Sequence, residues 1–94
     1  MNLRFHIDPE TGDLHIYRHG VQEQEVEDVM ASPAEDVPGR RNSRLAIGQT
    51  LGGRYLLVVY VRDPEPDSAF VITAYELSGN ALGAFRRRRR RRQR

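Results

Sequence analysis

An α+β fold is predicted by three features of this chain. An amphipathic helix is written into residues 21–31, apolar β segments follow it, and a short alternating strand precedes it. The expected architecture is an N-terminal strand and helical segment plus one amphipathic helix, packed on an antiparallel sheet of three to four strands. Residues 1–85 form this single compact domain, and residues 86–94 form a disordered arginine tail.

Leu3-Arg4-Phe5-His6-Ile7 alternates apolar and polar and reads as the first strand. Asp8-Pro9-Glu10-Thr11-Gly12-Asp13 supplies turn chemistry. Leu14 to His19 fits either a returning strand or one or two helical turns, and Gly20 ends it in both cases. In the helix, Val26, Val29 and Met30 share one stripe, Val21 packs just before it, and Glu23 and Glu25 suit its first turn. Ser32-Pro33 stops it.

Arg44 to Gly48 alternates as a strand, and Gln49 to Gly53 holds the Gly-Gly pair of a hairpin loop. Tyr55 to Val61 is an unbroken run of β formers, hence a central strand. The proline-rich segment 63–67 breaks the ladder, and Ala69 to Tyr75 returns as a strand. Ala81 to Phe85 reads as a weak edge strand or a docking segment. On the central strand Tyr55, Leu57, Val59 and Val61 point one way while Leu56, Val58 and Tyr60 point the other. Both faces are apolar and one helix covers one of them. The second face calls for a partner protein, a homodimer contact or the C-terminal segment.

Charge divides the chain in two. Residues 1–85 carry 7 Arg against 13 acidic residues, a net −6, and the last nine residues add +8 to give the overall +2. Arg86, Arg87, Arg88, Arg89, Arg90, Arg91, Arg92 and Arg94 are therefore candidate nucleic-acid-binding residues. Two other accounts of the run stand beside this one. Every basic residue is Arg and none is Lys, which fits a coding bias, and the run also suits an arm folded back on the acidic helix around Glu23 to Asp28. There is no cysteine, so disulfides and thiolate metal sites are excluded. No apolar run is long enough to span a membrane, and a cytoplasmic protein with no membrane partner is expected.

The order and spacing of several motifs resemble a known family. Phe5-His6-Ile7-Asp8-Pro9, then Arg18-His19-Gly20-Val21 and a Glu-rich helix, are similar to the N-terminal signature of the BrnT-type toxins. Arg44 to Gly48, then Gly53-Arg54-Tyr55-Leu56-Leu57-Val58-Val59-Tyr60, resemble the family's arginine-started strand, its Gly-Arg and its apolar strand. Phe70 to Ala74 sits where the family has its next strand, so the resemblance spans residues 5–76. A related, functionally unassigned family of small domains shares the layout.

The resemblance implies a RelE-like fold acting as a metal-independent endoribonuclease, with RNA, ribosome-associated RNA included, as target. It also implies an antitoxin partner and no cofactor. Carried over by position, Arg18, His19, Arg44 and Arg54 match the family's polar residues. Two departures bear on activity: Thr73-Ala74-Tyr75-Glu76 stands where the family continues Ser-Ala-Arg, and Gly12 erodes the family's early helix.

Metal-free RNA cleavage needs a base for the 2′-hydroxyl, an acid for the leaving 5′-oxygen, and cations around the phosphorus. His19 suits acid or base work, since histidine titrates near neutrality, although it also suits capping the turn before Gly20. Arg44 and Arg54 are the candidate phosphate clamps, if the strand registers bring them together; surface solvation is the other account. Tyr75 could act as an acid or stack on a base, and Glu76 could be a base; core packing and solvation are their plainer roles. His15 and His19 have zinc-like spacing, but beyond His6 no third ligand presents itself, so no metal is assigned. The alternative function is a non-catalytic nucleic-acid- or protein-binding module of the same fold, working through its arginine tail.

Overall fold

A central five-stranded sheet organises the protein, whose computed structural model describes residues 1–92. Its elements are β1 (Asn2–Phe5), a 3-10 helix (His15–His19), α1 (Glu23–Ala31), β2 (Glu35–Pro38), β3 (Arg44–Gln49), β4 (Tyr55–Arg62), β5 (Ser68–Glu76) and α2 (Gly79–Arg92). Strand order is β1-β5-β4-β3-β2. β1 lies parallel to β5, and the other neighbours pair antiparallel.

The expected α+β class stands, with three corrections. The sheet has five strands and is mixed, where three to four antiparallel strands were predicted. The added strand, β2, is a four-residue edge strand ending in Pro38, and only an edge tolerates a residue that cannot donate to the ladder. The third correction is at the C-terminus. Residues 79–92 form one helix, so Ala81 to Phe85, expected as a weak edge strand or a docking segment, docks as helix, and the expected disordered tail is helical as far as Arg92. Arginine is a good helix former, and docking of Leu82 and Phe85 supplies the tertiary contact a helix needs. Gln93 and Arg94 lie outside the described residues.

Alternation along β4 assigns the two faces. Leu56, Val58 and Tyr60 are buried, and with Ala46, Ala69, Val71 and Ala74 they meet Ile16, Val21, Val26, Val29 and Met30 of the helical layer. Each fully buried aliphatic side chain here contributes about 1.5–3 kcal/mol by leaving water. The helix is fixed at its start by a reciprocal capping box, Gln22 with Glu25. Gly20 ends the 3-10 helix at φ 68°, in the left-handed region that favours glycine, and turns the chain into α1.

The opposite face is partly covered by the chain itself. Phe85 of α2 packs with Ile47 and Leu77, against Tyr55, Leu57 and Leu82. Of the three covers expected, the C-terminal segment supplies this one. Farther along the same face, Leu45, Val59 and Val61 are half-buried and Val37 is exposed. No helix among the described residues is long and apolar enough to cross a membrane.

Candidate functional site

The turn after β1 sets the first part of the site. Asp8 is buried, accepts the backbone N–H of Glu10 at 3.0 Å, and receives the Arg18 Nε at 2.7 Å. The Glu10 N–H and, against the cost of burial, the Arg18 charge hold its carboxyl below the usual aspartate range. Arg18 also reaches Glu10 at 3.0 Å, so two carboxylates neutralise its guanidinium.

The 3-10 helix then lays a row of rings along β5. His6 and His15 ring centroids are 5.7 Å apart, His15 and His19 5.4 Å, and His19 and Tyr75 5.9 Å. Phe70 continues the row at 6.4 Å from His6. His19 and Tyr75, at its far end, are exposed. Among the described residues no three His, Asp or Glu side chains converge closely enough to hold a metal ion.

Arg54 joins this corner from below. Its Nη1 donates to both Glu25 carboxylate oxygens at 2.9 Å and to the Gly20 carbonyl at 3.1 Å. Its Nη2 reaches Glu76 at 3.4 Å. The capping carboxylate of α1, the carbonyl that follows His19 and the last residue of β5 are thus tied through one guanidinium. His19 with Tyr75 and Arg54 with Glu76 stand as two pairs at one end of the sheet, on its opposite faces, while Arg18 is tied to Asp8 and Glu10.

Arg44 does not join them. β3 and β4 form an antiparallel hairpin in which Arg44 faces Tyr60, whereas Arg54 directly precedes Tyr55, the partner of Gln49. Residues that begin consecutive antiparallel strands lie at opposite ends, so the two arginines cannot clamp one phosphate. Arg44 instead donates to the Asp36 side chain at 2.8 Å and to the Asp36 carbonyl at 3.0 Å. Tyr60 donates its hydroxyl to the same carboxylate, and burial, then that hydrogen bond, push its pKa up.

The arginine helix approaches from the covered sheet face. Arg88 donates Nε and Nη2 to the two oxygens of buried Glu35, at 2.8 and 3.0 Å. That pairing holds the Glu35 carboxyl below its ordinary range, against the effect of burial. Glu35 faces Ile47, Ile47 faces Leu57, and Leu57 faces Tyr75. The anchor of the helix and the ring beside His19 therefore close the two ends of a single cross-strand row.

A family model described as a domain of unknown function (DUF4258) matches residues 15–76, about two thirds of the chain. The chain belongs to the DUF4258 family. No curated protein and no solved structure matches it. The DUF4258 match begins with the 3-10 helix and ends at the last residue of β5. It takes in His19, Arg54, Tyr75 and Glu76, and stops short of α2. The match is consistent with the functionally unassigned family of small domains expected from the sequence motifs.

Three participants were missed in the sequence. Glu25 had a usable signal, because Gln22 three residues before it completes a capping pattern. Asp8 read only as turn chemistry, although a buried turn carboxylate needs a cation. Glu35 carried no local signal at all, since its partner is 53 residues away.

Proposed function

We propose that this domain is the RNA-directed member of a toxin–antitoxin pair and a metal-independent endoribonuclease of RelE-like type. One observation carries the reading: four of six candidates chosen from sequence lie at one end of the sheet as two pairs, His19 against Tyr75 and Arg54 against Glu76. In this reading Glu76 takes the 2′-hydroxyl proton, and the freed 2′-oxygen attacks phosphorus. His19 gives a proton to the departing 5′-oxygen, leaving a 2′,3′-cyclic phosphate and a 5′-hydroxyl. Arg54 turns part of its fork from Glu76 to the phosphate as charge builds there. Tyr75 offers its ring to a base. An antitoxin, or a second copy, would cover Val37, Leu45, Val59 and Val61 on the open part of the sheet.

The test is RNA cleavage by the purified chain in EDTA, beside His19→Ala and Arg54→Ala. Cleavage with cyclic ends that both variants lose is the expected result. Cleavage unchanged in both variants, or abolished by the chelator, would falsify it.

A second reading is favoured by a specific observation. Arg18, Arg44 and Arg54 are each neutralised by carboxylates, and Tyr75 replaces the arginine that the toxin pattern carries there. A non-catalytic module would bind RNA through α2 and leave it intact. Removing residues 86–94 would then abolish binding, and the salt dependence of affinity with it.

A further inference from the structure

Helix α2 does more than carry charge, because Arg88 fixes its rotation. With Arg88 held on Glu35, the step of about 100° per residue sends Arg86, Arg89 and Arg90 together to the side of the helix away from Arg88. That face is one wall of a groove of about 640 Å³. The opposite wall is the C-terminal end of α1 with Asp28, Ser32 and Pro33, and Tyr55 and Gln49 lie between them. The Arg86 guanidinium sits over the Tyr55 ring, 5.7 Å from its centroid. Leu51, 91 % exposed, forms the rim.

Each part has a chemical meaning. None of Arg86, Arg89 and Arg90 makes an ion pair among the described residues, so three cations line one wall. Asp28, on the other wall, is already an acceptor for the Leu51 backbone N–H at 3.0 Å and for Gln24 at 3.1 Å. The Arg86–Tyr55 pair is a flat cationic surface of the kind on which a nucleobase stacks. An apolar side chain at the rim adds a second contact for a base and none for a carboxylate. A groove of this size is within the range of small-molecule sites and has room for a nucleotide.

We infer that this groove is a binding subsite for single-stranded RNA, with Arg86, Arg89 and Arg90 on the phosphates and the Arg86–Tyr55 surface under a base. The subsite rests on the RNA-directed reading above and extends it beyond the His19 corner. The two sites share the β3–β4 hairpin, since Leu51 rims the groove and Arg54, at the end of that same loop, pairs with Glu76. A duplex is a poor fit, because its bases are stacked inward and unavailable to the Arg86–Tyr55 surface.

The experiment uses the full chain with Leu51→Trp, which installs the only tryptophan in the sequence at an exposed position. A labelled 12-nucleotide oligouridylate is titrated while its anisotropy and the tryptophan emission are read together. Emission should be quenched in step with binding, and a duplex RNA or polyglutamate should leave it unchanged. Arg86→Gln/Arg89→Gln/Arg90→Gln should lose at least about tenfold in affinity and about 2 in the salt slope. The charge-matched Arg87→Gln/Arg91→Gln/Arg92→Gln should lose clearly less. Oligouridylate that binds without quenching, or equal losses in the two triples, overturns the groove while leaving an RNA-directed protein. Polyglutamate that binds as tightly and quenches as well overturns the choice of RNA. No binding of any RNA removes the functional reading too.

Discussion

Arg88 grips both carboxylate oxygens of Glu35, joining the arginine helix to the edge strand of the sheet. The Glu35 side chain is 5 % exposed and that of Arg88 41 %, so the pair sits at the border of the core. A carboxylate this buried is tolerable only while its cation is present. The same contact that offsets the burial of Glu35 also orders a run of like charges. Self-repulsion along α2 is therefore opposed by one buried acid and by the docking of Phe85.

This pairing makes the seating of α2 dependent on pH. The folded-state pKa of Glu35 lies below its ordinary value of 4.5. The stabilisation is complete above about pH 4.5 and is lost as pH falls through the lower folded value. The melting temperature of the chain should drop over that acidic window more steeply than that of Glu35→Gln. Parallel curves for the two proteins would mean that Glu35 does not link α2 to the sheet.

Arg54 is a test of geometry as well as charge. Its fork spans Glu25, the Gly20 carbonyl and Glu76, which a single ammonium cannot do. On the proposed ribonuclease reading, Arg54→Lys should cut RNA cleavage by about 10²-fold or more, comparable to removing a transition-state donor. Near-native cleavage by the lysine variant would show that only positive charge is needed there.

The fold was most legible where the signal is local. The unbroken apolar run of β4, the stripe of α1 and the Gly-Gly hairpin are each set by neighbours in sequence, and each appears within a residue or two of its expected bounds. Partners remote in sequence were illegible. β1 pairs parallel with β5 across more than 60 residues, and β2 is too short and too polar to announce itself. The arginine run was read as disordered because like charges repel, but the acid that opposes them lies on β2. At the site, His19, Tyr75 and Glu76 came from motif positions, and the approach of His19 to Tyr75 is a fact of β5 and the 3-10 helix. The convergence of Arg44 with Arg54 fails on hairpin register alone.

Gly48 lies where α1 and the turn after it pack tightly on the sheet. A Cβ there would stand 3.1 Å from a Val29 methyl and 3.5 Å from the Pro33 Cα. The proline backbone cannot retreat without moving the end of the helix. Gly48→Ala should destabilise the domain by about 1–3 kcal/mol, the cost of overpacking a closed core. Urea unfolding measures it, and an unchanged midpoint would mean that α1 slides freely over β3.

Thr73 offers the opposite change. It lies on β5 opposite Val59, beside the bulge that leaves Ile72 without a register partner. Its hydroxyl oxygen is buried and has no hydrogen-bond partner. A buried, unpaired hydroxyl costs free energy that a methyl group of the same shape does not. Valine keeps the β-branch that the strand favours and removes the unpaired oxygen. Thr73→Val should therefore raise stability by about 1 kcal/mol, seen as a higher urea midpoint at unchanged slope. A lower midpoint would mean that the hydroxyl has a partner in solution, with the open sheet face the place to look for it.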